Sequence, residues 1–210
     1  MIAMAAVLAL PTHSQRRPLG HLAIFKSAAG GFSFSYPRDF QICTAGNMRP
    51  CNRSYAPACE EDAIACAVYP VGRFEGTNFE AASFQVRQVE AEREANYHEP
   101  ADEAMRADVC VTPFPREGEP DFMISAQNPQ ENIDGVLFVH GITAGTGMSH
   151  WQSINLYRAF HSKECYELRL TQSGVDAGVF DPPMKTLTRA QQNDVDESLT
   201  QILQSLRFLR

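Results

Sequence analysis

Basic clusters are scarce in this sequence: none of its 210 residues belongs to a run longer than Arg16-Arg17, and the formal net charge is -7. Nucleic acids and anionic membrane surfaces attract basic patches, so neither is expected as a partner. No apolar run approaches the roughly 20 residues that cross a bilayer, so no stable membrane span is expected. The cysteines contain no C-x2-C pair. The first four are separated by seven, seven and six intervening residues, whereas zinc sites draw adjacent tetrahedral ligands from close pairs. H-E-x-x-H and G-x-S-x-G are missing too, and no motif calls for a cofactor.

What remains is the composition of an ordinary globular protein, 44% apolar and 20% charged. Met1 to Ala9 is apolar and is followed by Leu10, Pro11, Thr12, His13 and Ser14. Residues 1–14 therefore read as a signal peptide cleaved before Gln15, although the usual basic n-region is missing. Residues 15–210 then form a single domain. Six cysteines in an exported chain imply three disulfides and a secreted or periplasmic location. The preferred scheme nests Cys51–Cys59 inside Cys43–Cys66 and joins Cys110 to Cys165. The segment from Cys43 to Cys66, rich in Gly, Pro, Asn, Arg and Ala, has little to bury, so cross-links matter most there, at roughly 2–4 kcal/mol each.

The fold class expected is α+β, a twisted and mainly antiparallel sheet covered by a C-terminal helix and shorter helices. Short strands are expected at His21–Phe25, Phe32–Tyr36, Phe40–Cys43, Ala63–Tyr69 and Ala82–Val89; Phe32–Tyr36 and Ala82–Val89 alternate with period two, while His21–Phe25 and Ala63–Tyr69 are apolar runs. Ile154–His161 and Cys165–Thr171 also alternate and read as a hairpin. A turn at Ser162-Lys163, or a four-residue loop over His161–Glu164, sets the same register. Arg158 then opposes Glu167 and Phe160 opposes Cys165; a one-residue slip would send the two charges to opposite faces. Pro100 suits the first position of a short helix through Ala107. A capping box, Thr188 with Gln191, opens a helix in which Val195, Leu199, Ile202, Leu203 and Leu206 recur at helical spacing.

The chemical motifs are weak. Leu137-Phe138-Val139-His140-Gly141 looks like the strand-end His-Gly of α/β-hydrolases, but Gly147-Met148-Ser149-His150-Trp151 lacks the second glycine of a nucleophile elbow. Gly141–Gly147 has no phosphate-loop lysine and reads as a flexible hairpin loop. His140, His150 and His161 are candidate ligands or binding groups, imidazole being a common metal ligand. Trp151, beside the glycine-rich stretch, is a candidate recognition aromatic. Glu117, Glu119 and Asp121 read as a solvated face.

Three pieces together carry a resemblance: Gly31-Phe32-Ser33-Phe34-Ser35-Tyr36-Pro37, the stretch Tyr157–Leu168, and Ile202–Phe208. They resemble uncharacterised exported bacterial domains and, more distantly, the PsbP-like fold. That resemblance implies a twisted antiparallel sheet with packed helices and a non-catalytic binding or accessory role in the bacterial cell envelope, toward a protein or small ligand. It implies no catalytic residue. The competing expectation is a small extracytoplasmic enzyme or metal-binding protein that uses the histidines near the glycine-rich loop.

Overall fold

The computed structural model describes residues 22–52, 58–89, 103–111, 123–124 and 129–209. The expected signal peptide, Pro100 and the acidic residues 117, 119 and 121 lie outside them.

Period-two patterning in the second half of the chain builds a meander of long antiparallel strands, β8 (Val136–Gly147), β9 (His150–His161) and β10 (Glu164–Val175). A short strand β7 (Gln130–Ile133) precedes it. All three connections are two residues long, and both residues of each lie at positive φ: Asp134-Gly135, Met148-Ser149 and Ser162-Lys163. That is the type I′ geometry, whose twist matches that of the flanking strands. The register of β9 on β10 pairs Phe160 with Cys165, Arg158 with Glu167 and Tyr157 with Leu168, as the alternation requires.

Four more strands complete the large sheet: β3 (Gln41–Thr44), β4 (Ala65–Val68), β5 (Phe79–Gln88) and β6 (Met123–Ile124). The order is β3-β4-β5-β10-β9-β8-β6, with β7 also beside β8. A second, three-stranded sheet has β2 (Phe32–Pro37) between β1 (Leu22–Ser27) and β11 (Arg207–Phe208). The helices are α1 (Glu103–Val111) and α2 (Arg189–Gln204). The chain is thus α+β, mainly antiparallel, with a C-terminal helix.

Strand alternation gives the large sheet two unlike faces. On one, Ala82, Phe84 and Val86 of β5 and Leu168 and Leu170 of β10 meet Phe32 and Phe34 of β2 and Val195, Leu199, Ile202 and Leu203 of α2, all buried. The capping box forms as the spacing predicts: Thr188 accepts from the Gln191 backbone N–H at 3.3 Å, and Gln191 accepts from the Thr188 N–H at 2.9 Å. On the other face lie Ser83, Gln85, Arg87, Glu167, Arg169 and Thr171, all buried. Helix α1 packs against β9 and β10 on that side, tied down by Cys110–Cys165. A small second core of cysteines, alanines, Met48 and Val68 completes the cover.

Several expectations are corrected. The nested disulfides are not formed: Cys43 bonds to Cys51 and Cys59 to Cys66. Cys43 and Cys66 do face each other across the β3–β4 ladder, but each half of the loop folds back onto its own strand. The Cys51 N–H bonds Met48 O at 2.9 Å, which closes a turn beneath Cys43. Asn52 clamps both the N–H and the carbonyl of Cys59. Gly141–Gly147 is not a loop but the second half of β8, because Gly147 through Thr143 pair with His150 through Ile154. The helix expected to end at Ala107 runs on to Val111, where the disulfide at Cys110 holds its last turn.

Candidate ligand-binding cleft

The Met148-Ser149 turn joins β8 to β9 at one end of the sheet, and the chain leaving β10 passes beside it. The Asp176 N–H bonds Ser149 O at 2.7 Å, which locks turn and crossing together. Asn78, just before β5, holds two segments with three bonds: its N–H bonds Lys185 O (2.8 Å), its side-chain NH2 bonds Val175 O (3.1 Å), and its Oδ1 accepts from the Leu187 N–H (3.2 Å). These bonds satisfy backbone groups that the irregular segments would otherwise leave open.

Between these segments is a cleft of about 570 Å³, lined by Trp151, His150, Met148, Asn78, Asp176 and Thr186 among others. That volume is within the usual range of small-molecule sites, about 300–1,000 Å³. Trp151 is half-buried and packs over Gly174, where a Cβ would lie 2.6 Å from the indole ring and 2.3 Å from Asn78 O. Only glycine admits the tryptophan there. The β5–β10 register shifts at this point, with Ser173 opposite Ala81 and Gly174 opposite Phe79, so Glu80 is the extra residue of a bulge. Bulges re-aim side chains, and Glu80 Oε2 stands 3.1 Å from His150 Nδ1. Met148, at the turn, is 93% exposed, and exposed Val179 and Phe180 follow the short turn of helix that Asp176 caps.

The histidines expected near the glycine-rich stretch are not brought together. His150 and His161 begin and end the same strand; at about 3.3 Å per residue they are roughly 35 Å apart. His140 is buried, its ring stacked on Tyr157 at 4.3 Å and its Nε2 3.1 Å from Asn155 Oδ1. His161 packs on Phe208, with ring centroids 4.4 Å apart. Two of the four candidate residues, His150 and Trp151, line the cleft; His140 and His161 do not. Among the described residues no group of three His, Cys, Asp or Glu side chains is placed to hold a metal ion. Strand geometry spreads His140, His150 and His161 along the sheet, so these three do not form one site.

A second polar cluster lies on the face toward α1. Glu167, fully buried, stands opposite Arg158 of β9 and Arg87 of β5, with Arg169 two residues along. Arg158 Nη2 is 2.6 Å from Glu167 Oε2; Arg169 Nε and Arg87 Nη1 are 2.7 and 2.9 Å from Oε1. Asp62 pairs with Arg87 at 2.5 Å and Glu60 with Arg169 at 3.0 Å. Burial pushes the Glu167 carboxyl up, but Arg169, Arg158 and Arg87 together outweigh it and hold the group at about 2. Among the described residues, three arginines here meet three carboxylates, the pairing that lets charge be buried. The cluster is structural.

Geometry and chemistry together define an α+β fold with an open, Trp-lined cleft and a buried network of arginines and carboxylates on the opposite face. No protein-family model matches the chain, and no curated protein does. Among solved structures it is similar to cyanobacterial PsbP (CyanoP) from Synechocystis sp. PCC 6803, with 9% identity, a TM-score of 0.40, and coverage of 92% of this chain and 95% of that one. It is also similar to LpqN, involved in cell envelope biogenesis of Mycobacterium tuberculosis (10% identity, TM-score 0.42, 90% and 92% covered). A Bacteroides thetaiotaomicron VPI-5482 protein is similar at 11% identity and a TM-score of 0.41; 89% of this chain is covered, and it spans 48% of that chain. The likeness is distant and concerns the fold alone.

Proposed function

We propose that this chain is an extracytoplasmic, non-catalytic binding or accessory domain of a bacterial cell envelope, and that the cleft beside the β8–β9 turn is where it engages a partner or small ligand. The observation that carries the proposal is the cysteine chemistry: all six are paired, none is free, and such bridges persist in oxidising compartments. The apolar segment 1–14 supports export. The cleft supports a binding role: its volume suits a small molecule, and Trp151, Met148 and Val175 give it an apolar wall. Exposed Met148, Val179 and Phe180 near its rim add an apolar surface of the kind that marks interaction sites.

Cell fractionation followed by intact mass, with and without reductant, tests this reading. The protein is expected in the periplasm or medium, shortened by residues 1–14. It should be lighter than the fully reduced form by six hydrogens, two for each of three bonds. Free thiols in a cytosolic pool with the leader attached would overturn it.

A further inference from the structure

We infer that the cleft takes a small organic cation, an ammonium group carried on an apolar body. The inference rests on the reading of the cleft as the binding site and names its ligand class. The side chains that line it divide into two kinds. Trp151, Met148, Val175 and Ala177 offer an apolar wall, while Asp176 supplies a carboxylate, and among the described residues no lysine or arginine contributes to the lining. Glu80 stands behind the lining residue His150 and is engaged by it at 3.1 Å. An anionic ligand would have to bring its charge against Asp176 while the imidazole of His150 is already engaged by Glu80, and that desolvation would be unfavourable. A cation gains from the Asp176 carboxylate and from the indole of Trp151, whose quadrupole attracts ammonium groups most strongly among the aromatics.

The local structure fixes this arrangement. Gly174 and Asn78 hold the indole in place. One Asp176 oxygen accepts from the Gly178 N–H at 3.0 Å, which orients the carboxylate and keeps its second oxygen as a further acceptor. The site is therefore formed before a ligand arrives, which lowers the ordering cost of binding.

Trp151 is the sole tryptophan, so intrinsic fluorescence reports on this cleft. The oxidised full chain is titrated with hexylammonium, hexanol and hexanoate, three probes that share an apolar body and differ in charge. Hexylammonium should shift the Trp151 emission saturably and at about tenfold lower concentration than hexanol, with hexanoate weakest. Asp176→Asn keeps the acceptor for Gly178 and removes the charge; it should weaken hexylammonium by about fivefold, the effect of one partly exposed ion pair. Glu197→Gln, which removes an exposed charge on α2, should leave it unchanged. If hexanol matches hexylammonium, or if Asp176→Asn binds as well as the parent, the cation assignment fails while the cleft still stands as a site. If no probe gives a saturable shift, the cleft is not a binding site and both readings fail.

Discussion

Three guanidinium groups surround the Glu167 carboxylate, which has no contact with solvent. The cost of burying charge is offset there only because every member is paired. Glu167→Gln leaves three arginines facing a neutral amide and is expected to cost roughly 3–5 kcal/mol, read from urea unfolding. The same residue sets an acid limit. Its carboxyl titrates at about 2 when folded against an ordinary 4.5. The folded state therefore binds the proton less readily than the unfolded chain. The stabilisation, roughly 3 kcal/mol, is complete above about pH 5 and is lost as pH falls through about 2. Stability measured from pH 6 to pH 2 should fall steeply in the parent and more gently in Glu167→Gln. At the cleft, Gly174→Ala should cost about 1–3 kcal/mol through overpacking and should shift Trp151 emission, because the new methyl group must displace the indole or Asn78.

At the scale of elements, the β9–β10 hairpin has its register from side-chain pairing and pays for its turn. Ser162 and Lys163 occupy the left-handed region at φ 52° and 69°, where a residue with a Cβ is disfavoured by roughly 1–2 kcal/mol. Replacing them with Asn-Gly should raise stability by about 1 kcal/mol or more without changing the register, as thermal unfolding and NMR cross-strand contacts would report. Thr188→Ala should cost about 1 kcal/mol by opening the cap of α2. These elements were legible in the chain because local signals agree there. Arg158 and Glu167 must share a face, and the helical spacing of Val195, Leu199, Ile202 and Leu203 follows directly on a capping box. The second half of β8 was not legible: Gly141, Gly145 and Gly147 resemble a loop until β9 pairs with them. Nor was β11, whose two residues are a strand only because β2 lies beside them. The cleft shows the same limit. Trp151 and His150 stood out by residue type, whereas Glu80 is 70 residues from His150, and the bulge that aims it arises only when β5 meets β10.

For the whole molecule, the two faces of the large sheet are held differently. The face toward α2 is fastened by apolar packing, with four helix residues and the phenylalanines of β2 in one core. The opposite face carries Arg87, Glu167, Arg169 and their neighbours, and its cover is attached through sulfur. In the loop-closure view, Cys110–Cys165, spanning 55 residues, stabilises by about 4 kcal/mol, and the bridges spanning 8 and 7 by about 2.5 kcal/mol each. Replacing Cys110 and Cys165 by alanine should therefore lower stability more than replacing either early pair. Composition pointed to three bridges, but the partners of the first four cysteines depend on how residues 44–65 fold onto β3 and β4, which no local pattern encodes.

The most direct test is a non-reducing peptide map of the protein recovered from its own compartment. Linked peptides joining Cys43 to Cys51, Cys59 to Cys66 and Cys110 to Cys165, with no alkylatable thiol, are the predicted result. Free cysteines, or peptides joining Cys43 to Cys66 or Cys165 to any of the first four, would contradict an extracytoplasmic domain whose polar face is held by these bridges.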